Sequence, residues 1–449
     1  VYTVSIRHKD SPILREIRWC LDFPKNEDVL TLASLRDEGV RFQGWVVHKK
    51  GVRPEEVFLR SESQRLVLEF AVPRPDVVSK VLQETPKNNK QLKCGFKVDV
   101  RPQSGKLEFG VRVDGVDYVL AEVSFSGELK VIEGREGWLF LDNDTNRSVD
   151  QFRGLYLLDL KELNAWRSYL DELASAATRF GVRHAVLVAP AKEMVISHAY
   201  PHEKGTVTPI EQLLSIAAPH HNLVYPVDVL RDSEVRTFRV CDTHWSLHGA
   251  MLATLEVVKQ LGIAEGEVKD IFDKDIYVEK EQYGDLGSKL FPPRSAKERV
   301  LRSFTHRRIK RYDNALPNFG RVQLLAYSEA PVKACCVVFG SSSSYSMLDY
   351  VGRIFERVVF VHSAGNVDLE VVRRERPDFL VCQTNGRFVV RAPVVGYDLS
   401  QVMAEKIAAL PPEKRAEIAK QSEGWVIAQG EWGRYYHELL LCANRRAGG

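Results

Sequence analysis

Charge of one sign is missing from this sequence: 63 Lys and Arg stand against 60 Asp and Glu, a formal net charge of +3. That balance removes the electrostatic case for a nucleic-acid or anionic-membrane partner. Short basic runs such as Arg307, Arg308, Lys310 and Arg311 read as solvated faces. Long apolar runs are also missing, so no transmembrane segment is expected. There is no internal repeat and no low-complexity tract. Cysteine is sparse, with seven residues at spacings that fit no zinc pattern. Cys335 and Cys336 lie in an apolar run, where free thiols act as small core residues. An odd set of thiols favours a reducing compartment, and no basic-then-apolar stretch opens the chain. The expectation for the chain as given is therefore cytoplasmic, with a periplasmic location as the alternative if a leader was removed.

What is present suggests two domains, because 449 residues exceed one ordinary core. Residues 1–130 alternate with period two and are rich in β-branched and aromatic residues. Candidate strands are Arg41–Val47, Arg65–Val72, Cys94–Val100, Leu107–Val113 and Tyr118–Phe125, which predicts an all-β sandwich domain. This domain is a candidate carbohydrate- or partner-binding module. Phe42, Trp45 and Tyr118 could stack on sugars, but aromatics more often fill sandwich interiors.

Residues 131–449 have a different texture. Helical patterns at Leu160–Phe180, Leu247–Leu261, Met347–Phe355 and Val367–Arg374 alternate with apolar strands. Those strands are Ala185–Ala189, Leu223–Val227, Ala334–Phe339, Arg357–Val361 and Asp378–Cys382. That order predicts an α/β domain with a mainly parallel sheet flanked by helices. Leu399–Ala419 reads as a helical tail. Glu265–Arg321 lacks clean periodicity and is taken as an insertion or long loop.

Three segments carry chemistry. Gly340-Ser341-Ser342-Ser343-Ser344-Tyr345 follows an apolar strand and precedes a helix, where a serine on a tight turn is exposed at the strand's carboxyl end. The helix N-terminus supplies N–H groups to a developing oxyanion. The same serines also suit an N-cap, the commoner use of such a run. Asp242-Thr243-His244-Trp245 places a carboxylate two residues before an imidazole. Serine is a weak nucleophile and needs such an oriented base. His244 and His248 have metal-chelating spacing but lack a third ligand, so no metal is expected. Gln383-Thr384-Asn385-Gly386-Arg387 follows another strand, where Asn385 and Arg387 can bind a substrate carbonyl or sugar hydroxyl, or simply form a turn.

Together these segments resemble the alginate O-acetyltransferase family of SGNH hydrolase-like proteins. The resemblance rests on Gly134-Arg135-Glu136-Gly137-Trp138-Leu139-Phe140-Leu141, Phe152-Arg153-Gly154, Val188-Ala189-Pro190-Ala191-Lys192-Glu193, Asp242-Thr243-His244-Trp245, Tyr283-Gly284-Asp285-Leu286-Gly287 and Gly340-Ser341-Ser342. It implies an SGNH hydrolase-like fold over about Val131–Val390 and a catalytic triad of Ser342, His244 and Asp242. Gly340, Asn385, Arg387 and Tyr345 are the matching candidates for oxyanion and substrate binding. The implied reaction is O-acetyl transfer to a polysaccharide or glycan through an acetyl-serine, with no cofactor required. The implied partners are the glycan acceptor and an acetyl-donating membrane protein. A carbohydrate acetylesterase with the same triad, or a non-catalytic carbohydrate-binding assembly protein, are the alternatives. Two departures stand out: Ser341 replaces the usual Asp or Thr, and Asn385-Gly386-Arg387 lacks the family's acid between Asn and Arg.

Overall fold

The computed structural model describes residues 2–31, 34–61, 64–102, 104–127 and 131–448. The chain divides into two compact units: Val1–Val131 with Asp285–Ser295, and Ile132–Gly284 with Ala296–Gly449.

The first unit is built from antiparallel strands. Six of them pair in the order Val29–Leu30, Tyr2–His8, Val116–Gly127, Lys106–Val113, Glu56–Arg60 and Arg65–Leu68. Three more pair as Ile17–Phe23, Val40–His48 and Gly95–Val100. Along Val40–His48, Val40, Phe42 and Val46 point inward, as period two requires. They meet Val57, Leu59, Phe109 and Val111 of the larger sheet in one core. Phe42 is fully buried, while Trp45 and Tyr118 pack half-buried against core clusters. These aromatics therefore serve packing. The sequence expectation for Arg65–Val72 was too long: the strand stops at Leu68. The segment Asp285–Ser295 also belongs to this unit, where the Tyr2 hydroxyl donates to the carbonyls of Ser288 and Leu290.

The second unit is a seven-stranded sheet between helices. Its order is Leu223–Val224, Arg183–Ala189, Phe379–Asn385, Val332–Gly340, Phe355–His362, Val322–Ala326 and Lys310–Asp313. The first five strands are parallel; Val322–Ala326 runs against them, and Lys310–Asp313 pairs antiparallel with Val322–Ala326. Alternate residues of each central strand feed two different cores. Ala185, Leu187, Val338, Phe360 and Val381 face the helices Leu247–Gln260 and Ser344–Ile354. Val186, Val188, Val337, Phe339 and Leu380 face Leu160–Phe180 and the helices near the C-terminus. Strands buried on both faces read as continuous apolar runs, which is why they were legible in the sequence. Leu160–Phe180 has the predicted ends. Asp159 and Glu162 form a capping box, and Gly181 closes the helix at φ +66°.

Several expectations need correction. Glu265–Arg321 is not a plain loop. It holds a helix at Glu265–Phe272, a hairpin of Tyr277–Gln282 with Ala296–Leu301, and the edge strand Lys310–Asp313. The hairpin sequences YVEKEQ and AKERVL are charged on both faces, so they lack the apolar signal that marks a strand. The serine helix starts at Ser344 rather than Met347. The tail breaks into Leu399–Ala408, Pro412–Gln429 and Arg434–Gly448, the first break falling at Pro411-Pro412. Among the described residues, no helix is long and apolar enough to cross a membrane.

A buried ion pair ties the serine helix to the segment before the hairpin. Arg353 donates two hydrogen bonds to Asp275, at 2.8 and 2.7 Å, and both side chains are almost fully buried. Removing one partner strands the other charge in the interior. Arg353→Met is expected to cost about 3–5 kcal/mol in urea unfolding, with part recovered in the double variant Arg353→Met/Asp275→Leu. An unchanged midpoint for the single variant would show that the pair adds nothing.

Candidate active site

Ser342 lies in the turn between Val332–Gly340 and Ser344–Ile354, at the carboxyl end of a central parallel strand. Gly340 permits the tight turn, since a Cβ there would collide with Ser344 Oγ. The Gly340 carbonyl accepts the N–H groups of Ser363 and Ala364. Asp242 and His244 sit in the loop before Leu247–Gln260, a helix capped by Ser246. Trp245, 1% exposed, locks that loop onto the serine turn. Its indole N–H lies 3.0 Å from the Ser343 carbonyl and 2.9 Å from Ser346 Oγ.

The three polar side chains form a continuous relay. His244 Nδ1 lies 2.7 Å from Asp242 Oδ1, and His244 Nε2 lies 2.9 Å from Ser342 Oγ. Asp242 Oδ1 also accepts the His244 backbone N–H at 2.9 Å, and Arg239 stands 3.8 Å from Oδ2. Burial pushes the Asp242 pKa up. The hydrogen bond and charge of His244, with Arg239 behind, overcome that and hold the carboxyl below its usual range. An ionised Asp242 fixes a proton on Nδ1 and leaves Nε2 free to accept from serine. With both His244 nitrogens so engaged, His248 serves elsewhere, its Nε2 lying 3.1 Å from Ser233 Oγ.

A second network lies beneath the serine turn, and its directions follow from chemistry alone. The Ser341 N–H can only donate, and it donates to Gln383 Oε1 at 2.8 Å. Gln383 Nε2 then faces Asn385 Oδ1 at 3.0 Å, so that atom must be the amide oxygen. Asn385 Oδ1 also accepts from Ser343 Oγ at 2.8 Å, and Ser341 Oγ lies 3.1 Å away. The Asn385 amide nitrogen is thereby turned away from this network, toward the cleft that Asn385 lines. Ser341, 1% exposed, belongs to this buried network. A side chain at Gly386 would crowd the Ala191 N–H.

Two further residues position the loops. The Lys192 side chain is buried, and its Nζ donates to the carbonyls of Leu139, Val240 and Asp242 at 2.7, 2.8 and 3.0 Å. Glu298, in the hairpin, accepts the Val240 N–H at 2.9 Å and pairs with Arg236 at 2.7 Å. The sequence placed Lys192 in a family block and Gln383 in a strand-end segment, both without a role, and gave no signal for Glu298.

A cleft opens beside the relay; His244, Trp245, Ser343, Asn385, Arg387 and Glu193 are among its lining residues. Of the residues anticipated for substrate, Asn385 and Arg387 line it. Gly340 and Tyr345 do not: Gly340 packs the turn, and the Tyr345 hydroxyl lies 3.0 Å from His362 Nδ1. The Glu193 carboxyl stands beside its own backbone N–H. Burial pushes it up to about 7, opposed by that N–H and by Arg387 and Lys192, and reinforced by Asp144. Elsewhere, Asp171, His220 and His221 cluster at the surface. There the Ala218 N–H donates to His221 Nδ1, so Nε2 carries the proton that binds Asp171 at 2.9 Å and is not a free metal ligand.

Two outcomes follow. Gln383→Leu orphans the Ser341 N–H and buried serine hydroxyls, at an expected cost of about 2–4 kcal/mol in urea unfolding; an unchanged stability would show the network to be slack. Glu193 has a folded pKa above its unfolded value, so the folded state holds more protons between those values and stability falls as pH rises from about 4.5 to 7. Glu193→Gln is therefore expected to stabilise the protein by roughly 1–3 kcal/mol at pH 8 and to be near neutral at pH 4. The same shift at both pH values would contradict this.

No family model matches the sequence, and no curated protein matches it. Among solved structures, the chain is similar to PatB1 of Bacillus cereus, with 10% identity, coverage of 61% of this chain and 99% of that one, and a TM-score of 0.45. It is similar to the O-acetyltransferase domain of Pseudomonas putida AlgJ at 15% identity, 64% and 98% coverage and a TM-score of 0.35. It is also similar to a DHHW family protein from Eubacterium siraeum at 9% identity, 66% and 98% coverage and a TM-score of 0.37. At such values the chemistry of this site has to be read from its own side chains.

Proposed function

We propose that this protein is a serine-dependent O-acetyltransferase of the SGNH type, acting on hydroxyl groups of a glycan. The observation that carries this reading is the unbroken relay from Asp242 through His244 to Ser342, at 2.7 and 2.9 Å, beside a cleft that His244 lines. Such a relay makes a hydroxyl nucleophilic at neutral pH and has no structural purpose of comparable economy.

In the first half-reaction His244 takes the proton of Ser342 as Oγ attacks the acetyl carbonyl of the donor. The tetrahedral oxyanion finds two N–H donors, the Asn385 side-chain amide and the Ser342 backbone. Neither makes another hydrogen bond among the described residues. His244 returns the proton to the leaving group as the tetrahedral intermediate collapses to acetyl-serine. In the second half-reaction His244 deprotonates the acceptor hydroxyl, which attacks the acetyl carbon, and Ser342 leaves with its proton restored. Asp242 stays ionised throughout and stabilises the imidazolium. The chemistry requires no cofactor. Water in place of the sugar hydroxyl turns the same steps into an acetylesterase reaction.

The test uses an aryl acetate donor with a mixture of glycan oligosaccharides as acceptors, and follows aryl release and sugar acetylation separately. The expected outcome is acetylated sugar from the wild-type protein and a loss of at least about 10³-fold in Ser342→Ala and His244→Ala. Asn385→Ala is expected to lose roughly 10²-fold in rate, the usual worth of an oxyanion donor. Acetate with no acetylated sugar would select the esterase. Equal rates in wild type and Ser342→Ala would overturn the serine mechanism.

A further inference from the structure

Two sequence blocks that take no step in the proposed reaction, Gly134–Leu141 and Val188–Glu193, meet the histidine loop at one atom, Lys192 Nζ. The first block supplies the Leu139 carbonyl at 2.7 Å and the rings of Trp138 and Phe140, whose centroids lie 4.9 and 5.2 Å from Nζ. The second supplies the lysine. The histidine loop supplies the carbonyls of Val240 and Asp242, at 2.8 and 3.0 Å. That loop is a narrow turn with paired arms. Phe238 and Trp245 form an antiparallel bridge. The Ser246 N–H donates to the Thr237 carbonyl at 2.7 Å, and the Arg239 N–H to the His244 carbonyl at 3.2 Å. Lys192 grips the tip of the turn on either side of Cys241. The arms set the direction of the loop. The tip bonds set the Asp242 backbone, and with it the carboxylate that orients His244.

Chemistry dictates the charge at this atom. Three carbonyl oxygens that converge on one point repel one another, and a neutral amine has N–H groups for two of them. An ammonium has three donors and no acceptor, so it matches the set. The two aromatic faces add attraction for a cation. Lys192 is 4% exposed, and a charge buried so deeply persists where it is satisfied in this way.

We propose that Lys192 is a positioning residue of the reaction, its ammonium holding the tip of the histidine loop so that His244 reaches Ser342. The inference rests on the serine reading above and names the group through which that relay is aimed. Lys192 acts through Asp242 and His244. Loss of its charge frees three carbonyls, lets the tip open and lengthens the 2.9 Å contact between His244 Nε2 and Ser342 Oγ. A displacement of about 1 Å at such a contact costs on the order of 10²-fold in rate.

The test separates charge from packing. Lys192→Met keeps an unbranched stem and removes the donors and the charge. Lys192→Ala empties the space beside the cleft that Lys192 lines. Each variant is reacted with an alkyl fluorophosphonate well below its melting temperature, alone and with propylammonium or neutral propanol added. Both are expected to label Ser342 about 10²-fold more slowly than the wild type. Propylammonium is expected to restore Lys192→Ala by about tenfold, the worth of hydrogen bonds to a charged group, and propanol to restore nothing. A wild-type labelling rate in Lys192→Met, or equal restoration by propanol, would overturn the proposal. A second readout needs no reaction. The His244 Nδ1 proton held by Asp242 gives a low-field proton NMR signal, expected in the wild type and lost in Lys192→Met. Its persistence unchanged in Lys192→Met would also overturn the proposal. An unlabelled wild-type protein would sink the serine reading instead, and the NMR signal would still decide the role of Lys192.

Discussion

A buried N–H group can only donate, and in this protein the N–H of Ser341 sets the direction of everything around it. It fixes which end of Gln383 is oxygen, Gln383 fixes which end of Asn385 is oxygen, and the leftover amide nitrogen turns to the cleft. Gln383 is fully buried, so no water competes for these bonds and each keeps one sense. The same amide oxygen accepts from Ser344 Oγ, which ties the first residue of the serine helix to the neighbouring strand. The geometry of Ser342 is thus imposed from beneath by two adjacent parallel strands, and from the side by Trp245.

The acid and base are held by a different device. Lys192 spends three donors on backbone carbonyls, one of them that of Asp242, and so joins the opening strand Leu139–Leu141 to the histidine loop. Glu298 reaches from the hairpin to the N–H of Val240, two residues ahead of Asp242. Gly284, at φ +65°, lies so close behind Cys241 and Asp242 that a side chain there would displace them. Buried charge is costly unless it is satisfied, and most of it here is satisfied by backbone.

The chemistry was more legible in the sequence than the scaffolding that aims it. Asp242 and His244 stand two residues apart, so local pattern brought them forward; the serine run followed an apolar strand but suited an N-cap equally, and only the resemblance singled out Ser342. Asn385 was named for the right strand end. Gln383 was passed over because a buried glutamine has no periodic or motif signature, and its value lies in partners 39 to 42 residues away. Tyr345 looked like a cleft residue by its place after the serines, yet the helix begins at Ser344 and carries its ring toward His362. The hairpin within Glu265–Arg321 escaped notice because its charged faces mimic a loop. In the first unit, core-facing alternation was visible, but Glu56–Arg60 was missed: its three central residues are all buried and show no alternation.

The central claim is that Ser342 is a nucleophile activated by His244 and Asp242. Its most direct test is covalent trapping with an alkyl fluorophosphonate, which needs no knowledge of donor or acceptor, followed by peptide mass mapping. The account predicts a single modification on Ser342, abolished by His244→Ala and retained, more slowly, in Asp242→Asn. Absence of labelling in the folded wild-type protein, or labelling confined to another serine, would contradict it.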